Sequence, residues 1–149
     1  MKALLFVATC LLLITACSKS SVTPTPDAGS VVAGTYNLTY YDDDSASVKS
    51  QYVFPVTGPN NTTIATGTLV ARRDSANVSY LTQMIIQPGY PTKPDVFGQI
   101  NLKANGTSYD LYQYSQKIGT ADGTILNIDV QYTDPQTGIA YRNIRTAKK

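Results

Sequence analysis

The ionisable side chains of this sequence are restricted in type. Its 149 residues include no histidine, and its ten acidic residues are all aspartate. Histidine is the commonest general acid or base near neutral pH, and Ser-His-Asp catalysis, Cys-His catalysis and many metal sites depend on it. An enzyme built from this chain would have to work through Asp, Lys or Tyr. We therefore predict a noncatalytic protein with no metal and no cofactor. An Asp-dependent hydrolase remains an alternative, ranked below the two noncatalytic functions given at the end of this section.

One acidic cluster, Asp42-Asp43-Asp44, has the carboxylate oxygens that a hard cation such as Ca²⁺ prefers. It lacks the ligand spacing and the glycine of an EF-hand loop, and neighbouring residues of an extended chain point in opposite directions. We interpret the cluster as a solvated turn that ends a strand.

Tyrosine is abundant, with eleven residues in the chain. Its amphipathic ring could line a cavity and stack on a ligand, or it could simply cover half-buried sheet surface. The candidate ligand-binding residues are side chains that alternation along the predicted strands directs toward the interior, together with one aromatic residue in a loop. These are Tyr36, Tyr40, Tyr52, Phe54, Tyr80, Met84 and Tyr90.

The chain begins with an apolar leader that ends at a cysteine. Lys2 provides a positive start, and the segment from Ala3 to Ala16 is apolar apart from two threonines, which is typical of a signal peptide. Its fourteen residues are fewer than the ~20 that a membrane span needs. The end of the leader, Leu13 to Cys17, resembles a bacterial lipobox. The resemblance implies that residues 1–16 are removed and that Cys17 carries acyl chains such as palmitate.

The residues after Cys17 are mostly Ser, Thr, Pro and Gly up to Ser30, so we predict a flexible tether over residues 17–30. Ser18 stands where an aspartate would, in some lipoproteins, signal retention in the inner membrane. The lipobox resemblance therefore implies a protein of the cell envelope that is lipid-anchored in the outer membrane.

Residues 31–149 are enough for one domain with one core. Without Lys2 the chain has eleven basic and ten acidic residues, so no basic face for nucleic acid is expected. Because Cys17 is the only cysteine after the leader, the domain must hold itself together without a disulfide bond.

Period-two alternation of apolar residues recurs throughout the domain and predicts an all-β fold. Short turns join most of the strands, which favours a single small eight-stranded antiparallel meander closed into a barrel, with a Greek-key sandwich as the rival. Gln87 to Asp95 is too rich in proline for regular structure, and Gly119 to Gly123 is predicted to be a turn. The predicted strands span residues 32–41, 51–56, 64–72, 78–86, 96–103, 107–114, 124–132 and 139–146.

The Gly34-x-Tyr36 motif in the first strand and Arg142 and Arg145 in the last resemble the lipocalin-like, or calycin-like, small barrels. The likeness is to short lipocalin-like lipoproteins of Bacteroidetes-type bacteria. In lipocalins a Gly-x-Trp motif packs beneath a basic residue of the last strand and closes one end of the barrel. The resemblance implies that Gly34, Tyr36 and either Arg142 or Arg145 form this closure, because residues three apart in a strand face opposite sides.

Together these features predict a membrane-anchored lipoprotein whose barrel binds a small apolar or amphipathic ligand at its mouth. The loop from Gln87 to Asp95 would place Tyr90 over that ligand. The alternative is a structural or interaction module that docks onto an envelope protein or glycan.

Overall fold

A computed structural model of the chain describes residues 25–45 and 48–149. The predicted signal peptide, Cys17 and residues 18–24 of the predicted tether lie outside the described residues. The described part contains one short helix, α1 (Ala28–Val32), a turn at Pro59–Asn61 and ten strands. The strands are β1 (Gly34–Ser45), β2 (Val48–Val53), β3 (Val56–Thr57), β4 (Thr63–Ser75), β5 (Val78–Ile86), β6 (Asp95–Asn105), β7 (Ser108–Gln113), β8 (Gln116–Ala121), β9 (Ile125–Thr133) and β10 (Ala140–Lys148).

Eight of these strands form a closed antiparallel barrel. Strands β4 to β10 pair in sequence order, β10 pairs with β1, and β1 closes the ring by pairing with β4 through residues Gly34 to Asn37. β2 and β3 are two extra strands: β2 pairs with β1, and β3 pairs with β4. The predicted eight-stranded antiparallel barrel is confirmed, and the architecture is consistent with a lipocalin-like fold.

The eight barrel strands are not the eight that the sequence pattern predicts. The predicted strand over residues 51–56 corresponds to the extra strands β2 and β3, whereas barrel strand β8 overlaps the segment predicted to be a turn. The turn was predicted from Gly119, but this glycine lies within β8, where it allows β9 to approach closely. A Cβ atom at this position would collide with the carbonyl oxygen of Asn127 on β9.

The barrel has one filled end, which we call the closed end, where β1 starts and β10 finishes. Its interior is packed with aliphatic side chains, and α1 covers it by inserting Val32. Close packing of this kind leaves no room for a ligand at this end. The largest aliphatic side chains that are fully buried in the barrel are Leu69, Leu81, Ile100, Leu111, Leu126 and Ile128.

α1 is fixed to the barrel at its first turn. Asp27 caps the helix by accepting a hydrogen bond from the Ser30 amide at 2.8 Å, and its carboxylate pairs with Arg73 at 2.8 Å. These bonds hold the pKa of Asp27 well below its usual range. Ala28, Gly29 and Ser30 fall within the predicted tether, but they belong to a helix that packs on the core.

The closed end is sealed by Tyr36, which is fully buried. Its hydroxyl donates to the Val32 carbonyl at 2.6 Å, and Lys149 Nζ lies 5.0 Å from its ring centroid. Gly34 has a φ of 148°, which side-chain-bearing residues rarely adopt, and the flexible end of the Lys149 side chain would have to move to admit a Cβ atom there. Gly34 and Tyr36 both lie at the closed end, where the cation beside the Tyr36 ring is Lys149.

Neither predicted arginine reaches the closure. β10 runs antiparallel to β1, so Lys148 lies opposite Asn37 near the closed end, whereas Arg145 lies opposite Tyr41 and Arg142 lies opposite Asp44. The assignment of Arg142 or Arg145 to the barrel closure is wrong because both lie farther along β1 toward the other end.

Replacing Tyr36 with phenylalanine is expected to lower the free energy of unfolding by about 1 kcal/mol at neutral pH, because the buried bond to Val32 is lost. Burial raises the pKa of Tyr36 to about 12, whereas an unfolded tyrosine titrates near 10. Between pH 10 and 12 the unfolded state therefore ionises first, and the stability advantage over Tyr36→Phe should shrink. Urea unfolding of both proteins across this range measures the difference between their free energies of unfolding. A difference that does not change with pH would contradict the raised pKa of Tyr36.

Candidate functional site

The opposite half of the barrel, the open end, has a buried arginine as its floor. The Arg145 side chain is only 6% exposed, and its guanidinium carbon lies 4.9 Å from the Tyr41 ring centroid and 5.0 Å from that of Phe97. Its Nε donates to the Gln83 side-chain oxygen. We call Arg145, Tyr41, Phe97 and Gln83 the arginine layer.

The charge of Arg145 is already compensated within the protein. Burial lowers the pKa of Arg145, and nearby Tyr41, Asp95 and Asp43 oppose that shift. An Asp95 carboxylate oxygen lies 3.7 Å from the guanidinium, and two aromatic faces stabilise its planar cation. The arginine layer is therefore a self-contained polar floor between the packed core and the open end.

Two irregularities in the strands build this layer. The pairing register of β1 shifts between Leu38 and Tyr40, and the register between β5 and β6 shifts beside Gly98, which has a φ of 87°. Each inserted residue reverses the side-chain alternation, so Tyr41 and Phe97 point inward. The predicted inward phase of Tyr40 is wrong for this reason.

Above the floor lies an apolar cleft of about 350 Å³, which we call the mouth cleft. Tyr41 forms part of both the floor and the cleft, and the Tyr52 ring lies 6.2 Å from Tyr41 and 6.4 Å from Phe54. Among the residues that the structure describes, no charged side chain lines it. Its lining residues are Tyr41, Tyr52, Phe54, Val56, Ile64, Ala65, Ile85 and Gln87.

The mouth cleft exists because the barrel wall splits. β1 pairs with β4 only as far as Asn37. Farther toward the open end β1 pairs with β2, and β4 pairs with β3, but β2 and β3 do not pair with each other. The side chains that border this split converge on the cleft from both sides.

Of the seven predicted ligand-binding residues, the structure brings only Tyr52 and Phe54 together in the cleft. Tyr36 is used at the closed end. Tyr40 lies on the outer face, where its hydroxyl donates to Asp42 at 3.1 Å. Tyr90 lies in the loop between β5 and β6 and is 67% exposed.

The other two predicted residues, Tyr80 and Met84, lie on the outer face of β5. Arg72 stacks over the Tyr80 ring at 5.3 Å, and the buried residues of this strand are Ser79, Leu81 and Gln83. The predicted phase of β5 is reversed because Gln83 turns inward to accept the bond from Arg145. Alternation alone favours an apolar face as the buried one, so it could not reveal this choice.

The acidic cluster lies within β1 and does not form the predicted turn. Asp42 accepts bonds from Gln51 at 2.9 Å and from Tyr40, and the Gln51 bond is the main cause that lowers its pKa. Asp43 accepts a bond from Tyr41 at 3.2 Å. Among the described residues no group of three or more His, Cys, Asp or Glu side chains could hold a metal ion.

No protein-family model, curated protein or solved structure matches this chain. In the part of the chain that the structure describes, no helix has the length and apolar character needed to cross a membrane.

Replacing Arg145 with lysine is expected to lower the free energy of unfolding by about 2 kcal/mol, because a compact ammonium cannot stack between two rings and is more strongly hydrated. Arg142→Lys is the matched control. Arg142 pairs with Asp129 at 2.7 Å on the exposed face of the same strand, where ion pairs contribute little. Urea unfolding of both variants checks the prediction, and equal losses of stability would refute the special role of Arg145.

Proposed function

We propose that this protein is a noncatalytic binding protein whose mouth cleft takes up the apolar part of a small ligand. The observation that supports this proposal is the cleft itself, an aromatic and aliphatic concavity of about 350 Å³ at the open end of the barrel. Its volume is at the lower limit of typical small-molecule pockets, which span about 300–1,000 Å³.

The ligand has to bind at the mouth because the closed end is filled. The cavity among Val32, Leu81, Ile100 and their neighbours has a volume of only about 10 Å³. A cavity of this size holds at most about one water molecule. The binding mode is therefore shallow, and most of a larger ligand would remain outside the barrel.

The lining of the cleft also indicates which part of a ligand it accepts. An uncharged surface of rings and aliphatic chains favours the burial of apolar groups, at roughly 25 cal/mol for each Å² removed from water. The one amide that lines the cleft belongs to the exposed Gln87. An amphipathic ligand would thus insert its apolar end and keep its polar group in solvent.

The uncharged fluorescent probe N-phenyl-1-naphthylamine is expected to bind the purified protein with increased emission. Tyr52→Ala and Ile64→Ala remove exposed parts of the cleft lining and should weaken binding roughly five- to tenfold. Tyr80→Ala, on the outer face of β5, is the control and should bind like the parent protein. Fluorescence titration gives the dissociation constants, and identical values for all four proteins would exclude the mouth cleft as the site.

We further propose that the protein is anchored in the cell envelope, in the outer membrane, by acyl chains on Cys17. The proposal is supported by the apolar leader and by the lipobox resemblance of residues 13–17. Two or more acyl chains give stable membrane attachment, whereas one chain gives only marginal binding.

Cys17→Ser is expected to move the protein from the membrane fraction to the soluble fraction and to abolish incorporation of an alkyne-labelled palmitate. Cys10→Ser, which changes the cysteine within the leader, should leave both properties intact. Fractionation of a bacterial host, followed by detection of the label, measures both. Persistent labelling of Cys17→Ser would refute the anchor.

A further inference from the structure

The split in the barrel wall leaves two strand edges without a partner among the described residues. β2 pairs only with β1, and β3 pairs only with β4. The ring of strands is closed beneath them by β1 and β4, so the free edges of β2 and β3 both border the split. β2 is open to solvent, since Val48, Tyr52 and Val53 are 60%, 47% and 72% exposed.

The pairing pattern identifies the backbone groups on the free edge of β2. The Phe54 amide donates to the Thr39 carbonyl at 3.0 Å. Phe54, which directly follows β2, and Thr39 of β1 are therefore a hydrogen-bonded pair. Hydrogen-bonded and non-hydrogen-bonded pairs alternate along an antiparallel ladder. The amide and carbonyl groups of Lys49, Gln51 and Val53 therefore point away from β1, toward the split.

We propose that the mouth cleft and the free edge of β2 together bind an extended peptide segment of a partner protein. The peptide would pair with β2 through its main chain and place an apolar side chain in the cleft. This inference rests on the proposed function, because it requires the same cleft to accept an apolar group, and it identifies the molecule that presents that group.

The chemistry of the edge favours a peptide over a small apolar molecule. Outward-facing groups of β2 recur every second residue, a spacing of about 6.7 Å, and an extended chain repeats its own donors and acceptors at the same spacing. Main-chain bonds of this kind supply affinity, and pockets for alternate side chains supply specificity. Tyr52 connects the two features because it belongs to β2 and lines the cleft.

The charges of the site limit the peptide further. The cleft is uncharged, and Lys49 is the only charged residue of β2. A basic peptide would be repelled by Lys49, whereas a neutral peptide with alternating apolar residues meets no unfavourable charge. The proposed partner segment is therefore extended, apolar on one face and not basic.

The test uses a fluorescent peptide, Thr-Val-Thr-Phe-Thr-Val-Thr, with blocked ends, and measures its binding to the purified protein by anisotropy. Two further peptides carry N-methyl groups on one or the other alternate set of amides. Because only one set of amides can face β2, one methylated peptide should lose about tenfold or more in affinity and the other should not. Equal binding of all three peptides would overturn the proposal.

Val53→Pro tests the same edge from the side of the protein. Proline removes an outward-facing amide that the β1–β2 ladder does not use, and such edge positions tolerate it. Peptide affinity should fall about tenfold in Val53→Pro and stay within about twofold in Val53→Ala, with circular dichroism to check that both are folded. The methylated peptides need no variant, so they keep the proposal testable if Val53→Pro does not fold.

The remaining outcomes separate the two proposals. Binding of N-phenyl-1-naphthylamine without binding of any peptide would overturn the peptide inference and leave the small-ligand function standing. Loss of both would overturn both. A dimer that forms with rising protein concentration and disappears in Val53→Pro would mean that a second copy occupies the edge, which also overturns the inference.

Discussion

The burial of one guanidinium group determines how this barrel is divided. Arg145 gives up almost all of its contact with water, and such a charge is tolerated only where neighbouring groups compensate for the lost hydration. Tyr41, Phe97 and Gln83 provide that compensation at one level of the barrel. Below this level the interior is filled mainly by apolar side chains, and above it the wall opens where the β1–β4 pairing ends. The cation therefore lies between the packed core and the cleft.

The same kind of contact recurs at the closed end. Lys149 lies over the Tyr36 ring much as Arg145 lies over Tyr41, so β10 and the residue that follows it each place one cation against a ring of β1. The two contacts differ in solvent exposure, because Lys149 reaches Tyr36 from outside whereas Arg145 is enclosed. The segment from Arg145 to Lys149 thus contributes to both the floor and the closed end.

Alternation of side chains was enough to predict the all-β class, the barrel and most strand positions. It failed where one residue changes the alternation, as at the register shift before Tyr40, because a local insertion leaves no mark in a period-two pattern. It also failed at Gly119, because a glycine required for close packing between two strands was taken for a turn residue. At β5 it failed because polar Gln83 faces inward. The cleft could be predicted only in part, since Val56 and Ile64 meet Tyr52 through the split and not through any spacing in sequence.

The attachment of α1 has a mechanical consequence. The described chain enters the barrel at the closed end, where Asp27 pairs with Arg73 and the Gly29 amide bonds to Ala76. A pulling force applied along the chain ahead of Thr25 would load these bonds first, and it would reach the core through Val32 before any strand at the open end. The mouth cleft lies at the opposite pole, and β1 connects the two.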